Sequence, residues 1–259
     1  MSSWSAKRRL LYLGAVLLFF AMAVSFFYVL FFRRPSSCSD NIKNQDEIDV
    51  DCGGVCKKVC ALEISPLIKD WVRFFKIGDG KYDVAALVEN PNFGLGLKGL
   101  DYVFKLYDID NLFITEKSGH IFVNSRDKFV IFETGLDTGK RIPIKAMIEF
   151  KDRMVWSRVD PKKDKPSIVL QNQGLAEGQM PRLSTEVTNN SIFDLADMIV
   201  VAVVYDEDKN AIAVSRTFIN YLKKGATEKI SFTWPKPFVT SRPTVEIYPR
   251  VDLVGGNEI

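Results

Sequence analysis

The chain is short of the residues that carry most enzymatic chemistry. Its 259 residues hold one histidine, His120, so a nucleophile–histidine arrangement has one place to form. The neighbours Ser118-Gly119 and Ile121-Phe122-Val123 read as a turn running into a strand, which gives His120 an ordinary place at a strand end. Cysteine stops early: Cys38, Cys52, Cys56 and Cys60 are all there are. A basic excess is missing from the body of the chain. The net charge of +3 is that of Lys7, Arg8 and Arg9; without those three, 32 basic residues face 32 acidic ones. Nucleic-acid binding needs a basic stripe to displace counterions from phosphates, so that class is excluded. Lys57-Lys58 and Pro161-Lys162-Lys163-Asp164-Lys165 read as solvated loops. Gly94-Leu-Gly96-Leu-Lys-Gly99 precedes a strand, without the helix that a phosphate-binding glycine loop opens. No catalytic residue is expected, and no cofactor unless calcium.

One long apolar run is present. Leu10 to Phe32 contains no charge and is bracketed by Lys7-Arg8-Arg9 and Arg33-Arg34. About 20 apolar residues cross ~30 Å of hydrocarbon as a helix, and a helix satisfies its own backbone where water is absent. The pattern predicts a cytoplasmic tail over 1–9, a transmembrane helix over 10–32 and an extracytoplasmic remainder, because positive tails stay inside. Cleavage after Ala21-Met22-Ala23, a small-x-small pattern, is the alternative; the apolar run continuing past it favours an uncleaved anchor.

Residues 33–60 form a cysteine segment. Four cysteines just beyond an anchor read as two disulfides in an oxidising compartment, with three pairings open. Too little apolar material lies here for a core, so crosslinks would restrain the loop. Asp40, Asn44, Asp46, Asp49 and Asp51 offer hard oxygen ligands at close spacing, the chemistry of a calcium site; acidic turns explain the same residues. The order of ligands does not fit an EF-hand. A four-thiolate zinc site is the other metal reading, against which the three-residue gaps and the oxidising location weigh.

Asp40, Asn44, Glu47, Val50, Asp51, Gly53 and Gly54, set among the cysteines, spell C-x-D-x-x-x-N-x-x-E-x-x-V-D-C-G-G-x-C. This resembles a short cysteine motif of secreted and surface proteins, which implies an extracellular spacer module. Asn41 and Gln45 replace two glycines of that motif, and three residues rather than two separate Cys56 from Cys60. Asn41 suits a positive φ.

From Ala61 the pattern becomes period two. Tyr82, Val84, Ala86 and Val88 alternate with Asp83, Ala85, Leu87 and Glu89; Tyr102, Phe104 and Leu106 form a second series, and Ile142, Ile144, Ala146 and Ile148 a third. No long stretch here keeps a 3.6 period. Such runs between Gly, Pro, Asn and Asp predict an all-β body of antiparallel sandwiches. The chain also echoes itself in order: Val88–Phe93 with Val187–Phe193, Phe104–Asp108 with Ala202–Asp206, Leu136–Gly139 with Leu222–Gly225, and Trp156–Asp160 with Tyr248–Asp252. The echoes predict two tandem immunoglobulin-like β-sandwiches, 61–160 and 161–259, each long enough for one core. Asp160-Pro-Lys-Lys-Asp-Lys-Pro166 reads as the linker, stiffened by two prolines. A strand over Ile168–Leu170 then precedes a loop at Asn172–Gly178. Asp108 and Asp206 each open a turn.

Phe104-Lys-Leu-Tyr107-Asp108 matches the signature of the FxLYD family, and the first repeat resembles that family of small immunoglobulin-like sandwiches. The second repeat keeps only Tyr205-Asp206. The resemblance implies a fold and an envelope location, with no catalytic residues. Trp71, Phe74, Phe75, Phe93, Trp156 and Trp234 serve a core better than a recognition surface. Trp234-Pro-Lys-Pro237 bends a strand exit or presents an extended edge to a partner. Asn189-Asn190-Ser191 is a glycosylation sequon.

These readings describe a non-enzymatic envelope protein that meets the membrane through residues 10–32 and holds two sandwiches outside for a protein or glycan partner. The competing class is an accessory subunit of a membrane secretion or transport assembly. Gly14, Ala15, Ala21, Ala23 and Ser25 would pack its anchor on partner helices.

Overall fold

The computed structural model describes residues 4–32, 37–44, 46–56, 58–151, 154–159 and 165–255. The chain divides into two units, Met1–Cys60 and Ala61–Ile259. In the first, α1 (Trp4–Phe32) is a single helix of 29 residues. At ~1.5 Å per residue it runs roughly 43 Å, more than the ~30 Å hydrocarbon thickness. Its apolar side chains from Leu10 to Tyr28 are almost all exposed. A helix apolar on every side gains nothing in water; by length and composition α1 is long and apolar enough to cross a membrane, a test that a signal sequence also passes. The rest of this unit is a small turn-rich segment closed by disulfides.

The second unit is all β. Its strands are β1 (Ile68–Gly78), β2 (Lys81–Glu89), β3 (Leu95–Tyr107), β4 (Phe113–Val123), β5 (Lys128–Asp137), β6 (Lys145–Phe150), β7 (Trp156–Arg158), β8 (Ile168–Ala176), β9 (Arg182–Asn189), β10 (Leu195–Tyr205), β11 (Ala211–Leu222), β12 (Thr227–Thr233) and β13 (Thr244–Arg250). They make four antiparallel sheets: β1-β2-β5, β4-β3-β6 with β7 added to β3, β12-β9-β8 and β11-β10-β13. The first two sheets enclose one core, with Val84, Ala86 and Val88 against Leu100, Phe104, Leu106 and Ile148. The last two enclose another, with Leu183 and Val187 against Met198, Val200, Ala202 and Val204. The sandwich order repeats, β1–β6 matching β8–β13.

The repeat reaches single hydrogen bonds. Asn90 and Asn189 are both fully buried. Asn90 Nδ2 donates to Leu95 O and Asn124 O, and Asn189 Nδ2 donates to Phe193 O and Leu222 O. Each takes a backbone N–H on its Oδ1, from Asn92 and Ser191, and Asn90 Oδ1 also accepts from Asn92 Nδ2. Asp108 Oδ1 accepts from the amides of Asp110 and Leu112, and Asp206 Oδ1 from those of Asp208 and Asn210. A carboxylate bonding amides two residues on is the ordinary device of such a turn, and both expected turns are present.

Two of the four sequence echoes do not survive. Gly225, with φ 73°, follows β11 and is matched by Arg126, φ 50°, after β4. The amides of Asn189 and Asn90 bond the carbonyls of the next residues in the chain, Ala226 and Asp127. Gly139 follows β5 and is not its counterpart. Likewise Tyr248 pairs with Val201 inside β13, whereas Trp156 pairs with Leu97 at the start of β3. Three further expectations are corrected. Ile142 and Ile144 precede β6 and are exposed, because a loop bonded at Ile144 N to Tyr107 O delays the strand. Asn172–Ala176 belongs to β8, whose register shifts between Gln171 and Gly174. Ser118-Gly119 lies within β4, which pairs with β3 along its length. The expected linker residues 160–164 lie outside the described residues.

The two sandwiches share a third core. Ala85, Leu87, Val130 and Phe132 on the outer face of β1-β2-β5 pack with Val201, Val203, Tyr205, Ala211 and Val214 on the outer face of β11-β10-β13. Strands β2 and β10 are therefore covered on both faces, which is why their sequences run apolar without a break. Ala85 and Leu87, expected as the outward half of an alternation, are buried. On the uncovered sheet β12-β9-β8 the counterparts are polar: Ser184 and Glu186 of β9 stand where β2 has Ala85 and Leu87; on β3, Lys105 stands where β10 has Val203. Packing one face of a sandwich on a different face of the next is a heterologous contact, which propagates unless its free faces are altered; these substitutions alter them. Both sandwiches point the same way. Arg250 of β13 meets Asp127 at one end of the seam, and Lys236 Nζ donates to Lys76 O at the other, 3.2 Å.

Candidate functional site

The cysteine segment accounts for every expected ligand there. The bridges are Cys38–Cys56 and Cys52–Cys60, and no cysteine is free among the described residues. That corrects the zinc alternative, since bridged sulfurs offer no thiolate. Cys38, Glu47 and Cys56 do bring a carboxylate oxygen and two sulfurs together within 4.8 Å, but both sulfurs are spent on each other. Glu47 is buried; its Oε2 accepts from the amides of Asn44 and Asp51, and its Oε1 lies 3.1 Å from Cys56 Sγ.

Of the candidate calcium ligands, Asp40, Asn44 and Asp51 converge, while Asp46 and Asp49 do not join them. The oxygens that converge hold backbone. Asp51 accepts from the amides of Asp40 and Asn41, and Asp40 from those of Ser37 and Ile42 and from Asn44 Nδ2. These bonds, the Asn44 one first, hold the Asp40 carboxyl below its usual range. Asp49 binds the Val50 amide. Among the described residues the buried amide oxygen of Asn44 has no hydrogen-bond partner. Asn41 takes the left-handed conformation, φ 58°. Gly54 has a sharper requirement: a Cβ there would lie 1.8 Å from Asp46 O.

In the β unit, His120 sits mid-strand with Nδ1 2.7 Å from Asp101 Oδ1. Both side chains are more than half exposed, an arrangement that makes a surface pair. The aromatics divide. Trp234 is buried in the second core, Trp156 and Phe74 pack on the first, and Trp71 and Phe75 pack on the shared one. Phe93 is 62% exposed, with the Arg126 guanidinium 4.9 Å from its ring centre. Asn189 of the sequon is interior.

Two features of the β unit stand out, and both lie at the end away from Ser65–Ile68, where its first strand begins. The first is an apolar tip. Ile109, Leu112 and Phe113 on the β3–β4 turn and Ile142 and Ile144 on the β5–β6 loop are all exposed, Ile142 to 71%. Arg141 fastens the two loops: it pairs with Asp108 and donates to Phe113 O, 2.8 Å. That bond lowers the Asp108 carboxyl.

The second is a cleft of about 350 Å³ at the seam between the sandwiches. Phe74 and Phe75 of β1, Asp83 of β2, Ile212 of β11, and Trp234 and Phe238 of the β12–β13 loop line it. The β12–β13 loop, which carries Trp234-Pro-Lys-Pro237, thus walls a cleft. Asp83 gave no sequence signal, being one acid in an alternating run. Burial pushes its carboxyl up, with the Gly135 amide opposing, 2.9 Å from Oδ1. Among the described residues no cation lies within ion-pair distance of it.

An all-β chain with an N-terminal apolar helix and a disulfide-closed segment is the class these features define. No protein-family model matches the chain, and no curated protein matches it. Among solved structures, the crystal structure of red sea bream transglutaminase aligns over 73% of this chain and 29% of its own, at 10% identity and a TM-score of 0.27. The chain thus spans less than a third of that structure.

Proposed function

We propose that this protein is a non-enzymatic, membrane-anchored binding module. Its two sandwiches are immunoglobulin-like, of FxLYD type on the strength of Phe104–Asp108. They stand outside the cytoplasm on a disulfide-bonded stalk and engage a protein or glycan. The tail Lys7-Arg8-Arg9 supports a cytoplasmic N-terminus, and the two disulfides support an oxidising exterior.

The apolar tip carries the binding reading. Five large apolar side chains at two loops, held together by Arg141 of one loop bonding the other, form a surface that water does not favour. The shared core fixes both sandwiches as one body, so the tip and the cleft are presented together. The test is a photo-crosslinking amino acid at Ile142 in the intact chain in its own membrane, with the exposed position Lys98 at the opposite end as the comparison. The expected result is a discrete adduct from Ile142 alone. Equal labelling from both positions, or none from either, overturns the reading.

A second reading, a subunit of a membrane assembly, draws on α1. A recess lined by Leu10, Leu11, Gly14, Ala15 and Leu18 runs along the helix, and small residues let partner helices approach closely. Co-purification in mild detergent of a stoichiometric membrane partner, lost on Gly14→Leu, is the outcome this reading requires.

A further inference from the structure

We propose that the cleft at the seam receives an extended segment of a partner protein, which pairs with the open edge of β1 and places one basic side chain against Asp83. The proposal rests on the binding reading above and names the chemistry of the partner.

Strand β1 bonds to β2 on one side only, so its other edge offers unpaired backbone groups. Two cations of this chain show which groups these are. Arg73 Nη1 reaches Val72 O at 3.5 Å, and Lys236 Nζ reaches Lys76 O at 3.2 Å. The carbonyls of Val72 and Lys76 therefore point away from β2. The period of two puts the N–H and C=O of Phe74 on that same edge. Phe74 lies between the two covered carbonyls and lines the cleft. An added strand makes its main-chain bonds at such an edge and gains specificity from pockets for alternate side chains.

The pocket beside this edge selects the side chain. Phe75, Ile212, Trp234 and Phe238 offer an apolar wall. Asp83 lines the cleft as well, partly buried and, among the described residues, without a cation. A carboxylate held in an apolar cleft favours a positive partner. The other charges at the site are Lys76 and Lys236. Lys76 pairs with Asp79, 3.4 Å, and Lys236 is bonded to the Lys76 carbonyl. Both oppose a densely basic ligand, so the segment that fits carries one cation among apolar and uncharged residues. Lys236 also stands in the path of the added strand, as charged side chains on edges commonly do.

The probe is an acetylated and amidated hexapeptide, Thr-Val-Arg-Val-Thr-Val, titrated against the full chain in detergent micelles by calorimetry. The expected result is saturable binding, with a dissociation constant raised roughly tenfold when glutamate replaces the arginine. Methylation of alternate backbone amides abolishes it, because the edge bonds cannot form. Asp83→Asn on the protein removes the preference for arginine over glutamine. Should Asp83→Asn fail to fold, Lys236→Ala serves, and is expected to tighten binding by uncovering Lys76 O. Equal binding of the arginine and glutamate peptides overturns the proposal, as does a methylated peptide that binds as well as its parent, which would assign the cleft to a small apolar molecule. A failed peptide titration beside a specific Ile142 adduct removes the cleft assignment and leaves the binding reading standing; failure of both removes both.

Discussion

Arg250 offers the sharpest test of whether the two sandwiches act as one body. Its side chain is 2% exposed, deep in the seam, while that of Asp127 is 19% exposed. Nε and Nη2 both lie 2.9 Å from Asp127 Oδ2, and Nη2 donates to Phe122 O at 2.8 Å. The rings of Phe122 and Phe129 lie 4.4 and 4.1 Å from the guanidinium carbon, and among the described residues Nη1 has no hydrogen-bond partner. Burial pushes the guanidinium toward deprotonation, and Asp127 opposes it. Asp127→Ala removes the carboxylate bonded to that buried cation and leaves only the field of Asp252, at a cost of about 3–5 kcal/mol. Arg250→Met removes the cation itself and keeps an apolar stem between the rings. It strands one carbonyl and an acid that water reaches, for about 1–2 kcal/mol. The double variant should resemble Arg250→Met alone, because the penalty in the first arises from the unpaired cation. A loss of 3–5 kcal/mol is large against a typical domain stability of about 5–15 kcal/mol, so urea unfolding of the full chain, followed by tryptophan emission, resolves the order. If Asp127→Ala costs no more than Arg250→Met, the seam is hydrated and the reasoning is wrong.

Other consequences follow from single contacts. Asn189 should stay unglycosylated in a host that modifies Asn-x-Ser, since both its amide hydrogens are used inside the core; a mobility shift on endoglycosidase treatment of folded protein refutes this. Asn189→Ala strands the carbonyls of Phe193 and Leu222 and should cost about 2–5 kcal/mol, read from the same urea curves. Peptide mapping without reduction should recover Cys38–Cys56 and Cys52–Cys60 and no alkylated thiol, whereas Gly54→Ala, which drives a Cβ into Asp46 O, should yield scrambled or open bridges. Glu207 accepts from the hydroxyls of Thr240 and Ser241, 2.6 and 2.9 Å. The Thr240 bond leads in lowering its carboxyl from 4.5 to about 2. A depressed folded value stabilises above 4.5, and the benefit is lost as pH falls toward 2. Amide exchange around residues 240–242 should therefore accelerate over that interval, and Glu207→Gln should remove the step.

What the sequence settled by itself is what depends on near neighbours. Charge-free length from Leu10 to Phe32 defined an apolar helix, because backbone and lipid impose that length locally. Period-two patterning defined the sheets, and Asp108 and Asp206 defined their turns, because each carboxylate bonds amides only two and four residues away. Clustering of the cysteines announced the bridges but not their pairing, which depends on how the segment turns at Asn41, Gly53 and Gly54. The echo between Leu136–Gly139 and Leu222–Gly225 misled for the same local reason: different strand ends call for the same left-handed residue. Tertiary structure decided which faces are interior. Nothing adjacent in the chain tells Leu87 that its outward side will be covered, since its cover is Val203 and its neighbours, more than 100 residues away. The cation trapped at Arg250 and the position of Asp83 at a cleft both follow from that one sheet-on-sheet contact, whereas Asn189 is buried by its own sandwich, through Phe193 and Leu222. Its stability comes from apolar area that exists only once both sandwiches have formed.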